Sequence, residues 1–169
     1  NSFYGRGFAK YNLKDYRGAI LDFDKAIELK PTYFDAFIAR GQSYSKQENH
    51  KVAIQDYNEA IRLNPLEATA YFSRGISKAK LANHRGALSD FNKSLELNAE
   101  YAPCWAARGE AKSHLADYKG SIEDFDKAVE ISPKRSNYLS NRGFSKMKLA
   151  DYQAALKDFD EAIKLSPEN

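Results

Sequence analysis

The chain has 169 residues, of which 43% are hydrophobic and 13% aromatic: enough apolar side chain to bury a core, and too much for a disordered segment. Twenty-six basic residues against 23 acidic ones leave a net charge of +3, so the total encodes no general attraction to nucleic acid or to an anionic membrane. Cys104 is the single cysteine, which excludes an intrachain disulfide and a cysteine-based zinc site.

No apolar run approaches the roughly 20 residues that cross a bilayer, and no signal peptide is visible. The chain therefore reads as soluble, with the cytoplasm favoured. It starts at Asn1, inside a repeated pattern and without a methionine, as a fragment of a longer protein would.

Self-similarity at a fixed period sets the architecture. An Arg-Gly pair returns as Arg6-Gly7, Arg40-Gly41, Arg74-Gly75, Arg108-Gly109 and Arg142-Gly143, with the glycines 34 residues apart. This divides one domain, 1–169, into five units: 1–33, 34–67, 68–101, 102–135 and 136–169. Each unit splits into two helical patterns of about 14 residues. The first carries a large apolar residue four before its glycine: Phe3, Phe37, Tyr71, Trp105 or Leu139. A glycine inside a helix costs about 1 kcal/mol relative to alanine, and five such glycines point to a packing need.

The turn that follows reads "LKDY", "QENH", "LANH", "LADY" and "LADY". Its Asp15, Asn49, Asn83, Asp117 and Asp151 are each predicted to accept from the free amides of the next helix. The second helix runs through "AILDFDKAIEL" and its equivalents, with a ring sixteen after the glycine at Phe23, Tyr57, Phe91, Phe125 and Phe159. Small residues at Ala19, Ala53, Ala87, Ser121 and Ala155, and again seven further on, let a neighbouring helix come close. Pro31, Pro65, Pro133 and Pro167 stop the helix; Ala99 stands there in the third unit, the weakest stop signal.

These positions together resemble the tetratricopeptide repeat: the aromatic, the glycine, the alanine twelve after it, the ring sixteen after, the alanine nineteen after and the proline twenty-four after. The match runs over essentially the whole chain. The resemblance implies an all-α fold, a right-handed α-solenoid of five antiparallel helix-turn-helix repeats. It also implies a concave surface, lined by the first helices, that binds a peptide or helix of another protein. Each unit would bury its apolar face only against its neighbours.

The family commonly has leucine where the five arginines stand. An aspartate fifteen after each glycine compensates, which predicts ion pairs Arg6–Asp22, Arg40–Asp56, Arg74–Asp90, Arg108–Asp124 and Arg142–Asp158 between first and second helix. Such pairs act as register devices, since desolvation offsets most of their attraction.

At about 100° per residue, the positions three before the glycine and one, four and five after it share a face of the first helix turned away from the arginine. From that face the predicted partner-binding groove is Tyr4, Phe8, Tyr11, Ile38, Gln42, Lys46, Phe72, Ile76, Lys80, Glu110, His114, Phe144, Met147 and Lys148. Its apolar content with a basic edge suits a protein or peptide ligand that is apolar with acidic flanks. One subgroup of the family grips a chaperone C-terminal tail with a clamp of lysines and asparagines. No window of this chain carries that clamp, so a chaperone tail is not the expected ligand.

No cofactor is expected, and an enzyme is disfavoured: His50 and His84 replace tyrosines of other units, His114 has no second ligand at useful spacing, and no phosphate-cradling glycine loop is present. Nucleic acid is disfavoured as well, because the lysines three and five after the glycine lie about 200° apart around the helix and form no single stripe. The rival reading is self-assembly into a homo-oligomer through uncapped solenoid ends, since Leu156, Phe159 and Ile163 of the last helix have no later unit to pack on.

Overall fold

The computed structural model describes residues 2–166, and among these there are ten α-helices and no strand. They are α1 (Ser2–Asn12), α2 (Tyr16–Leu29), α3 (Phe34–Lys46), α4 (His50–Leu63), α5 (Ala68–Lys80), α6 (His84–Leu97), α7 (Ala102–His114), α8 (Tyr118–Ile131), α9 (Ser136–Lys148) and α10 (Tyr152–Leu165). Two compact units divide them, Asn1–Asn83 and His84–Asn169. In the first unit each helix from α1 to α5 packs on the next, and α3 also touches α1 and α5. The second repeats this from α6 to α10, with α7 touching α9. Helices thus pack in sequence order, as an all-α solenoid requires.

Local chemistry explains why each pair folds back. Asp15 accepts from the Gly18 amide, Asp117 from Gly120 and Asp151 from Ala154, so three second helices begin on a carboxylate cap. Asn49 makes no such side-chain bond, and the cap expected there is not formed. The residue before the cap has left-handed backbone in every repeat: Lys14, Glu48, Ala82, Ala116 and Ala150, with φ between 59° and 63°. This lets the following amide reach back to the first helix, as in Asp117 N–H to the Lys112 carbonyl at 2.9 Å.

The third junction ends like the others despite its missing proline. α6 stops at Leu97, the Asn98 amide donates to the Ser94 carbonyl at 2.9 Å, and the Trp105 indole donates to the Ala99 carbonyl at 2.7 Å. Tyr71 makes the matching contact with the Pro65 carbonyl. Pro167 lies outside the described residues.

The core is a spine of small residues and rings. Ala19, Ala26, Ala53, Ala60, Ala87, Ala128, Ser121 and Ser94 are buried, as are Phe23, Tyr57, Phe91 and Phe125. The glycines of the first helices make room for these rings. A Cβ on Gly41 would stand 2.7 Å from the Tyr57 ring, and one on Gly109 would stand 3.2 Å from both the Phe125 ring and the Ser121 carbonyl.

Candidate functional site

Charged side chains order the first helices before any ligand surface is considered. Arg108 donates through Nε and Nη2 to the two carboxylate oxygens of Asp124, at 2.8 and 2.7 Å, and Arg6, Arg40 and Arg142 treat Asp22, Asp56 and Asp158 in the same way. All five aspartates of this row, Asp90 included, are buried. The third guanidinium nitrogen reaches back one repeat: Arg40 to Asp24 at 2.6 Å, Arg74 to Asn58 at 2.7 Å, Arg108 to Asn92 at 2.8 Å and Arg142 to Asp126 at 2.7 Å. Sequence reasoning missed this second acceptor row, although an Asp or Asn stands seventeen after every glycine. The guanidinium groups of Arg6, Arg40, Arg74 and Arg108 lie against an aromatic ring, Arg108 4.6 Å from the Trp105 centroid, whereas Leu139 stands at that place beside Arg142.

A lysine three after the glycine adds a second cation to the buried carboxylate: Lys10 on Asp22 at 2.8 Å, Lys112 on Asp124 at 3.0 Å and Lys146 on Asp158 at 2.8 Å. In the second repeat this position is Tyr44. The difference shows in protonation. The Arg6 hydrogen bond, reinforced by Lys10, holds Asp22 down at about 2. For Asp158 burial works upward, yet Arg142 and Lys146 together pull it below the usual carboxylate value. Among the described residues Asp56 has Arg40 as its one cation, shared with Asp24, so burial prevails and its carboxyl is pushed up.

The lysine row three after the glycine is thereby engaged in the fold. The row five after it is different: Lys46 and Lys80 make no ion pair among the described residues. In the first unit Tyr11, Gln42, Lys46, Phe72, Ile76 and Lys80 line a single cavity of about 270 Å³, with Ser45, His50, Tyr57 and Ser73 completing its wall. His50 sits 3.2 Å from the Ser45 hydroxyl. In the second unit a cavity of about 230 Å³ gathers Glu110, His114 and Phe144 with Ser113, Phe125, Asn141 and Ser145. Glu110 accepts from Asn141 at 2.9 Å, and Phe144 meets Phe159 edge-on at 5.1 Å. The His114 ring stacks on His84 at 4.4 Å, and burial together with His114 lowers the His84 pKa.

The remaining predicted groove residues divide. Phe8 (50% exposed), Phe144 (56%) and Met147 (42%) face solvent, as does Lys148. Tyr4 is half-buried against Phe23 and Tyr33, with ring centroids 5.7 and 5.0 Å away, and Tyr11 also touches the Phe23 cluster. Ile38 is a correction: it is 8% exposed and packs with Ala60 and Ala70, so it belongs to the core and not to the groove surface. On α3 the position three before the glycine leans toward the neighbouring helix, whereas Phe72 at the same place on α5 lines the cavity.

Among the described residues no group of three His, Cys, Asp or Glu side chains is placed to hold a metal ion, and no helix is long and apolar enough to cross a membrane.

Tetratricopeptide repeat family models match residues 1–33, 34–66, 102–135 and 136–169. No curated protein sequence matches the chain. Among solved structures it is similar to MamA, at 20% identity, TM-score 0.88 and coverage of 96% of this chain and 95% of that one. MamA from Desulfovibrio magneticus RS-1 aligns at 16% identity and TM-score 0.90, covering 99% and 94%. YrrB, described as a TPR protein with an unusual peptide-binding site, aligns at 20% identity and TM-score 0.82, covering 99% and 86%. With its 34-residue period, paired helices and these matches, the chain belongs to the tetratricopeptide repeat family.

Proposed function

We propose that this chain is a protein-interaction scaffold, not an enzyme, that takes a peptide or helical segment of a partner on the outward face of its first helices. The observation that carries this reading is the cavity that gathers side chains of α1, α3, α4 and α5, with Phe72 and Ile76 as apolar anchors and Gln42, Lys46 and Lys80 as polar ones. YrrB, whose fold this chain shares, is described as having a peptide-binding site, which supports the reading by analogy of fold. In the second unit, Glu110, His114, Phe144, Met147 and Lys148 would form a contact surface of that unit's own. The test is an affinity pull-down with the parent beside a Phe72→Ala, Ile76→Ala variant of unchanged helical circular dichroism. A partner held by the parent and lost by the variant supports the groove; one held equally by both contradicts it.

A second reading, association with another copy, has its own observation. Leu156 and Ile163 of α10 are each 55% exposed, whereas the residues at their places in α2, α4, α6 and α8 are buried or half-buried. Asp160 belongs to the acceptor row that Arg40 and Arg142 use, and Arg6 commits only Nε and Nη2 to Asp22. A mass that rises with concentration in light scattering, and falls back with Leu156→Glu, would support this reading; a constant monomer mass would remove it.

A further inference from the structure

The two lysine rows differ in whether a carboxylate already holds them. Lys10, Lys112 and Lys146 sit on buried aspartates, whereas Lys46 and Lys80 have no such partner among the described residues and line the same cavity. They occupy the same register, five after the glycine, on α3 and α5, two helices in contact. The other wall residues bring hydroxyls, an amide, an imidazole and rings, but no Asp or Glu. Two ammonium groups facing one concavity without a counter-charge repel each other and favour an anion between them.

We infer that this cavity reads an acidic side chain lying next to an apolar one in an extended partner peptide. The inference rests on the groove reading above and specifies its ligand. Phe72 and Ile76 take the apolar side chain. Lys46 and Lys80 take the carboxylate, while Gln42, Ser45 and Ser73 supply donors and acceptors for the peptide backbone. The volume of about 270 Å³ suits one or two side chains and not a whole small-molecule cofactor. The selectivity belongs to the first unit, since the second unit's cavity carries Glu110 on its wall.

The test uses three fluorescein-labelled peptides with one Leu-Phe core, flanked by glutamates, glutamines or lysines, titrated with the 169-residue chain in fluorescence anisotropy at low salt. The glutamate peptide is expected to bind about tenfold more tightly than the glutamine peptide, and to lose that margin as salt is raised. A Lys46→Gln, Lys80→Gln variant should erase the margin while the glutamine peptide keeps its affinity. Lys46→Glu, Lys80→Glu should transfer the preference to the lysine peptide. Equal binding of glutamate and glutamine peptides, or a margin that survives Lys46→Gln, Lys80→Gln, overturns the inference; if the glutamine peptide is then still released by Phe72→Ala, the groove reading stands without it. Binding of none of the three at millimolar concentration contradicts the groove reading, and the inference with it.

Discussion

Arg108 grips both oxygens of Asp124, at 2.8 and 2.7 Å, although that carboxylate is 1% exposed and lies on the next helix. Because Arg108 also reaches Asn92 on α6, one side chain ties three helices at fixed register.

Removing the arginine leaves the buried carboxylate to Lys112 alone, and removing the carboxylate leaves both cations without it. Arg108→Met is expected to cost about 1.5–3 kcal/mol in chemical denaturation, because Lys112 still faces the buried Asp124 charge, and Asp124→Asn about 3–5 kcal/mol, because it leaves two cations around a neutral amide. The double variant should cost clearly less than the sum of the two; strict additivity would mean that the pair is not coupled.

Protonation of the aspartate row should follow the lysine pattern. Asp22 has a folded value of about 2 against an ordinary 3.8, so its contribution to stability is fully present above the ordinary value and is lost as pH falls through the folded one. Asp56, raised by burial and lacking a lysine, should take up its proton earlier than an ordinary aspartate. Tyr44→Lys is expected to move the Asp56 carboxyl downward in a carbon-detected NMR titration and to leave Asp22 unchanged. An unmoved Asp56 would show that the second cation is not what separates the two.

Two glycines should respond oppositely to alanine. Nothing lies within 4 Å of a Cβ built on Gly5, so Gly5→Ala should stabilise by up to about 1 kcal/mol through helix propensity alone. Gly109→Ala meets the Phe125 ring and the Ser121 carbonyl at 3.2 Å and should destabilise by about 1–2 kcal/mol net. Melting temperatures that rise for both would refute the close-packing role of the repeat glycine.

Ala116 holds φ at 63°, where a Cβ crowds the backbone. Ala116→Gly is therefore expected to raise stability, by about 1 kcal/mol or less once the extra freedom of the unfolded chain is counted. A lower melting temperature would mean that Ala116 contributes packing that outweighs its strain.

The paired helices and the packing need of the glycines were legible because period and small residue recur at fixed offsets; that the ring of the second helix fills the space, as Tyr57 does at Gly41, is what the structure adds. The left-handed residues were not, because lysine, glutamate and alanine carry no turn signal of their own; only their constant place before the cap marks them. The burial of Ile38 was not legible, because a helical wheel assigns an angle and knows nothing of the neighbouring helix, which covers Ile38 but leaves Phe72 at the same repeat position on the cavity wall. The backward reach of the arginines was missed since it joins adjacent repeats, and spacing within one unit cannot reveal it.

On the function proposed above, partners meet the outward face of the first helices. The most direct measurement places a photo-crosslinking phenylalanine analogue at Gln42, on the cavity wall, and separately at Leu21, exposed on α2, and irradiates each in source lysate. One discrete crosslinked partner is expected from position 42, competed away by the glutamate-flanked peptide, and none from position 21. The same partner crosslinked at 21 and absent at 42 would contradict it.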